Sequence, residues 1–144
     1  MLRLLRLVNP LVRAVLRSPL HPLLSGSLAV LDYRGRRSGR LFAIPVLYAE
    51  HEEAFVVLAA TPERKRWWRT FREPAPATLL VRGAAHAVEG RVLEGSERRD
   101  ALRAWLGRFP RASRPVGLAA RSGDAELDAS RAVVVGFAAT DRSA

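Results

Sequence analysis

The sequence predicts a mainly β fold: a barrel of about six mostly antiparallel strands, flanked by helices and preceded by an N-terminal amphipathic helix. Three observations predict it. Short runs of β-forming residues recur between turns marked by Gly and Pro. The run Leu41–Tyr48 is apolar on both faces, Phe42, Ile44 and Val46 alternating with Leu41, Ala43 and Leu47, so its sheet must be covered on both sides by helices or a second subunit. Helical periodicity is confined to a few segments between these runs.

With 144 residues the chain is read as an N-terminal helical segment, 1–24, and one barrel domain, 25–140. It has no cysteine, which excludes disulfides, thiolate metal sites and a cysteine nucleophile, and suits a reducing, cytoplasmic compartment. The formal charge is +10, and of 24 basic residues only Lys65 is a lysine. Arginine grips planar anions through paired N–H donors, so phosphate, carboxylate or anionic lipid are the partners such a balance favours. An arginine-rich composition set by the encoding genome is the competing reading.

In residues 1–24, Arg3, Arg6, Arg13 and Arg17 share one arc of a helical wheel and leucine and valine fill the rest. The apolar runs are too short to span a bilayer. The helix therefore packs on its own domain, or lies at the inner membrane face with its arginines toward lipid phosphates. Leu28–Tyr33 and Leu41–Tyr48 read as two strands joined by the loop Gly35-Arg36-Arg37-Ser38-Gly39, whose glycines permit a tight connection. Backbone N–H groups, the Ser38 hydroxyl and the guanidinium groups of Arg36, Arg37 and Arg40 make this loop suited to an anion. Pro45 cannot donate to a ladder and marks an edge or a bulge. Ala54–Ala60 reads as the third strand.

Thr61 and Pro62 then look like the cap and first residue of a helix over Glu63–Arg72. Trp68 and Phe71 are expected in the core. Arg64, Lys65, Arg66, Arg69 and Arg72 surround that face, a second cationic cluster whose mutual repulsion calls for an anion. Thr78–Arg82 and Ala85–Leu93 form a hairpin, Ser96 caps a helix reaching Phe109, a short helix is open around Val116–Ala120, and Arg131–Ala139 is the last strand.

No histidine pair has ligand spacing, no serine sits in a nucleophile elbow, and no carboxylate pair stands out, so no metal site is expected. An enzyme with this inventory relies on a borrowed cofactor, and hydride transfer needs no protein nucleophile.

The order helix, strand, Gly35-Arg36-Arg37-Ser38-Gly39, strand with Pro45-Val46-Leu47-Tyr48, strand, and Trp67-Trp68-Arg69-Thr70-Phe71 resembles the deazaflavin-dependent nitroreductases over residues 10–140. The resemblance implies a split β-barrel that binds the reduced 5-deazaflavin coenzyme F-420 and passes a hydride to a quinone, a nitro compound or an activated alkene. It places Arg36, Arg37 and Ser38 at the coenzyme's phosphate, Ile44, Pro45 and Val46 near its ring, and Arg64 and Lys65 at its anionic tail. Gly39, Arg40, Ala60, Thr61 and Trp67 fall along the same site. The proton comes from Tyr33, from Tyr48 or from solvent, with the two tyrosines the candidate catalytic residues. Phe42 stands where the family commonly has arginine, and the segment before the tryptophans is shorter than in its best-known members. FMN is the alternative cofactor. A monomer or a homodimer is implied. A non-catalytic flavin-, haem- or lipid-binding barrel is the second function class, and a membrane-surface or nucleic-acid binder the third, although no nucleic-acid motif occurs.

Overall fold

The computed structural model describes residues 27–140, so the amphipathic helix expected within 1–24 lies outside the described residues. The strands are β1 (Leu28–Arg34), β2 (Leu41–His51), β3 (Ala54–Ala59), β4 (Ala75–Val81), β5 (Ala84–Val92) and β6 (Val133–Ala139). They close into one barrel in the order β1-β2-β3-β6-β5-β4, every neighbouring pair antiparallel. Two helices, α1 (Gly95–Arg108) and α2 (Asp124–Ala129), lie between β5 and β6 in the chain.

Both faces of the sheet are packed where α1 and α2 lie, over parts of β2, β3 and β6. Leu31, Val57, Phe71, Leu79, Val88 and Phe137 belong to the interior cluster. On the outside, Leu102, Trp105 and Leu106 of α1 and Leu127 of α2 pack on Ala49, Val56 and Val134. The Trp105 Nε1–H donates to the Leu47 carbonyl at 3.3 Å. Burial of this kind contributes roughly 1.5–3 kcal/mol for each large side chain.

The barrel is split along β2. Residues 41–47 pair with β1, whereas β3 meets β2 only over Tyr48–His51. Pro45 lies in the stretch with a strand on one side only, which accounts for a residue without an N–H. Pro76 in β4 is placed likewise: β5 pairs with it, but β1 reaches β4 only over Ala77–Leu80.

Several elements differ from the sequence expectation. In place of a helix over Glu63–Arg72 there are two 3₁₀ segments, Pro62–Arg64 and Trp67–Arg72, separated by an extended Lys65. The break lets Pro62 and Trp67 both be buried, and the Trp68 Nε1–H closes it by donating to the Pro62 carbonyl at 2.8 Å. Thr61 makes no side-chain cap. Trp67 is buried with Phe71, and Trp68, expected in the core, is half-buried. β4 begins at Ala75, inside the Pro-marked stretch, and α1 begins at Gly95 without a side-chain cap from Ser96. The region 111–130 holds a 3₁₀ turn at Arg114–Val116 and α2, neither of them the short helix around 116–120.

Asp32 in β1 stands out among the buried residues. It lies in the ladder between Ala43 and Thr78, is 7% exposed, and its Oδ2 has no hydrogen-bond partner. Burial pushes its carboxyl above the usual carboxylate range. The folded state therefore holds this proton to higher pH than the unfolded chain, and stability falls as pH rises through the raised value. Asp32→Asn should stabilise the fold at pH 7 by about 1–3 kcal/mol. Urea unfolding of both proteins should show that gain shrinking as the pH is lowered toward about 4.

Candidate functional site

The β1–β2 connection builds the first side of the site. The Gly35 N–H donates to the Arg40 carbonyl at 2.8 Å, and the Gly39 N–H donates to the Gly35 carbonyl at 3.0 Å. Gly39 takes a left-handed φ of +68°, the conformation glycine adopts without steric cost. The Arg40 N–H donates to the Ser38 hydroxyl at 3.1 Å, so the loop is closed by its own bonds. Its arginines are left to project from a fixed backbone.

The second side comes from the 3₁₀ segment Trp67–Arg72 and the Arg66 that precedes it. With three residues per turn, positions three apart eclipse. Arg66, Arg69 and Arg72 thus fall in one exposed row, with Trp67, Thr70 and Phe71 buried between them. The Arg72 and Arg69 guanidinium carbons lie 4.9 and 5.7 Å from the centroid of the Trp68 ring, which braces both side chains.

These two sides meet. A crevice of about 690 Å³ is lined by Tyr33, Gly35, Arg36, Arg37, Ser38 and Phe42 from one and by Arg66, Arg69, Thr70 and Arg72 from the other. Five guanidinium groups converge there, and only Arg36 has a carboxylate partner among the described residues, Glu73 at 2.9 Å. Four arginines on β5 and α1 are partnered instead. Arg91 pairs with Glu97, Arg99 with Asp124 and Asp128, and Arg103 with Asp124, while Arg98 donates to three backbone carbonyls. Hydrogen bonds from these arginines hold the Glu97 and Asp128 carboxyls below the usual range. Exposed cations without a carboxylate partner among the described residues also occur away from the crevice, at Arg64, Lys65, Arg82 and Arg121; what sets the crevice apart is that five guanidinium groups line one hollow.

Next to the cationic surface is an aromatic one. Phe42, 36% exposed, stacks on Tyr33 with ring centroids 5.4 Å apart and 23° between planes. Tyr33 in turn touches Phe71 at 6.0 Å. Burial pushes the Tyr33 phenol above its ordinary value.

Of the residues expected at the site, Tyr33, Arg36, Arg37 and Ser38 line the crevice. Gly39 and Arg40 belong to the same loop without lining it. Ile44 and Val46 point toward the barrel interior, and Pro45, opposite Val30 in the ladder, is exposed on the other face of β2. Ala60, Thr61, Arg64 and Lys65 are exposed around the first 3₁₀ segment, and Trp67 is in the core. Tyr48 is 2% exposed, with its hydroxyl buried and unpartnered. The sequence places Arg66, Arg69 and Arg72 in the second cationic cluster but assigns the anionic tail to Arg64 and Lys65; Phe42 it marks only as standing where the family has arginine, and Thr70 it does not place at the site. The spacing of three between Arg66, Arg69 and Arg72 suits a 3₁₀ row and an α-helical face alike. Among the described residues no cluster of metal-ligating side chains occurs, and no helix is long and apolar enough to cross a membrane.

Comparison with known proteins adds to this geometry. A family model described as F420H(2)-dependent quinone reductase matches residues 6–112. No curated protein gives a significant match. Among solved structures, an F420-H2 dependent reductase (FDR-A) superposes with a TM-score of 0.59 at 14% identity, covering 77% of this chain and 93% of that one. A protein described as a domain-swapped dimer gives the same TM-score of 0.59 and 14% identity, over 77% of this chain and 79% of its own. A FAD and heme binding protein from Mycobacterium smegmatis matches with a TM-score of 0.54 at 23% identity, covering 88% of this chain and 67% of that one. At these identities the structural likenesses establish the split-barrel fold.

Proposed function

The chain belongs to the F420H(2)-dependent quinone reductase family, which makes it a deazaflavin-dependent reductase, and we propose that it reduces a quinone in the crevice between the loop 35–40 and the arginine row. The observation that carries this reading is the convergence of unpaired cations on a hollow with an aromatic wall. Coenzyme F-420 is anionic, and these residues fit it: Arg37, Arg66, Arg69 and Arg72 have no carboxylate partner among the described residues to be displaced. Arg37 and Ser38 hold its phosphate, and the row Arg66, Arg69 and Arg72 holds its acidic tail. The volume of about 690 Å³ is within the range of small-molecule sites.

The bound coenzyme supplies a hydride. The chain's own residues supply position, desolvation and a proton. Phe42, Tyr33 and Thr70 limit water on the aromatic side of the crevice. Guanidinium donors stabilise the negative charge that grows on a quinone oxygen as the hydride arrives. Reduction of a quinone to its hydroquinone consumes one hydride and one proton, and the Tyr33 phenol, protonated at neutral pH as any phenol is, stands at the crevice wall to pass that proton. Tyr48, sealed in the core, lacks that access.

The test is oxidation of reduced F-420 followed by its absorbance with and without a quinone. Quinone-dependent oxidation that increases with enzyme concentration is the expected result. Equal turnover with reduced FMN in place of F-420, or no dependence on quinone, would contradict the reading.

A further inference from the structure

Leu41 and Phe42, at 41% and 36%, are the large apolar side chains left exposed among the described residues. They adjoin, and Phe42 lines the crevice. An exposed aromatic ring on a loose loop would need no explanation. This ring is fixed. Tyr33 supports one face, and the ring edge lies so close to Gly35 that a Cβ there would come within 2.9 Å of its Cε2. Any side chain at position 35 would push the ring out of place. The Arg40 guanidinium carbon stands 5.7 Å from the ring centroid, on a side chain long and exposed enough to move aside.

The orientation is equally specific. Phe42 and Tyr33 are within 23° of parallel, whereas the contacts that carry the aromatic series inward, Tyr33–Phe71, Trp67–Phe71 and Phe71–Phe137, are tilted or edge-on at 59°, 63° and 79°. Edge-on contacts fill a core. A parallel pair whose outer face is covered only by the exposed Arg40 side chain is a stack that a further planar ring extends when that side chain moves.

Resting on the reading of the site as a deazaflavin-dependent quinone reductase, we infer that Phe42 is the residue that selects the acceptor: once Arg40 swings aside, the ring face opposite Tyr33 stacks on the planar ring of the quinone. Selection follows from overlap area. An acceptor with two fused rings covers Phe42 more fully than one with a single ring, and a non-planar acceptor covers it poorly. Arg40, displaced from the ring, remains near enough to donate to a carbonyl oxygen of the acceptor. The coenzyme is held chiefly by the cationic side.

The test uses equilibrium binding, read by quenching of tryptophan fluorescence, with 1,4-naphthoquinone and 1,4-benzoquinone as probes. The chain has no cysteine for either probe to alkylate. Phe42→Leu should weaken naphthoquinone binding about fivefold and benzoquinone binding less than twofold, and Phe42→Trp should restore the first. Thermal unfolding midpoints close to wild type should confirm that each variant is folded, and F-420 affinity should fall less than naphthoquinone affinity. Unchanged naphthoquinone binding in Phe42→Leu overturns the inference, as does a parallel loss of F-420 affinity, which would make Phe42 a coenzyme contact. If the wild-type protein binds F-420 but neither quinone, the inference falls and the family reading stands. If it discriminates the quinones but never binds F-420, the proposed function falls and the stacking role stands.

Discussion

Phe71→Ala should lower the free energy of unfolding by about 3–5 kcal/mol, the largest single effect expected in this molecule. Phe71 is 0% exposed and closes the interior of the barrel from the second 3₁₀ segment. Its ring meets Phe137 at 5.1 Å, Tyr33 at 6.0 Å and Trp67 at 6.3 Å. Beneath it lies Gly90, where a Cβ would come within 2.7 Å of Phe71 and 2.5 Å of Phe137, so the barrel wall is shaped around this side chain. Removing the ring leaves a void that surrounding residues cannot fill without moving strands. Against a total stability on the order of 5–15 kcal/mol, such a loss threatens folding at ordinary temperature. Phe71→Leu, which keeps most of the volume, should retain more than half of the lost stability in urea unfolding. Equal losses for leucine and alanine would mean that packing volume is not what Phe71 contributes. The arginine row hangs on the same segment, so Phe71→Leu should also weaken F-420 binding even though Phe71 does not line the crevice.

Arg37→Ala should weaken F-420 binding by about 1.5–3 kcal/mol, or roughly 10- to 150-fold. Arg37 lines the crevice, is exposed, and has no carboxylate partner among the described residues, so the ligand receives its full donor set. Arg36→Ala should cost less. Arg36 is already paired with Glu73 at 2.9 Å, and both side chains are largely in water, where such a pair contributes about 0–1 kcal/mol. An anion arriving at Arg36 must share or displace that carboxylate. The order Arg37 before Arg36 is therefore a sharper expectation than either magnitude, and isothermal titration of the two variants checks it. Neither substitution should change thermal stability appreciably, since both side chains are solvated.

The parts of this arrangement that were legible in the sequence are those fixed locally. The strands on either side of Gly35–Gly39 announce themselves through β-formers and glycines, and the loop closes with the bonds such a turn requires. A barrel with covered faces follows from strands apolar on both sides, and the covering by α1 was visible as Leu102, Trp105 and Leu106 at helical spacing. Pro45 was correctly tied to an edge. Pro76, the same case in β4, is not legible as such, because nothing local says which strand will lack a neighbour there. The segment Glu63–Arg72 was misread for a related reason. Its residues suit an α-helix and a 3₁₀ segment about equally in the sequence, and the choice is made by what the barrel mouth buries, namely Pro62, Trp67 and Phe71. That choice moved the cations: an α-helix starting at Glu63 favours Arg64 and Lys65 at its start, whereas the broken segment presents Arg66, Arg69 and Arg72. α2 escaped notice because six residues with a glycine cap, the Gly123 N–H donating to Glu126 at 3.3 Å, leave almost no periodic signal. Phe42 was legible as a strand residue, but its exposure depends on the missing side chain at Gly35, a tertiary relation.

The claim on which the account depends is that two cationic clusters, separated along the chain, hold one anionic coenzyme. The most direct measurement is a fluorescence titration of F-420 into wild type, Arg37→Ala, Arg69→Ala and Arg121→Ala. The last removes an exposed arginine that does not line the crevice. The account predicts a loss of tenfold or more for Arg37→Ala and for Arg69→Ala, with Arg121→Ala indistinguishable from wild type. Small and equal losses in all three variants would show binding to the overall positive charge and would contradict it.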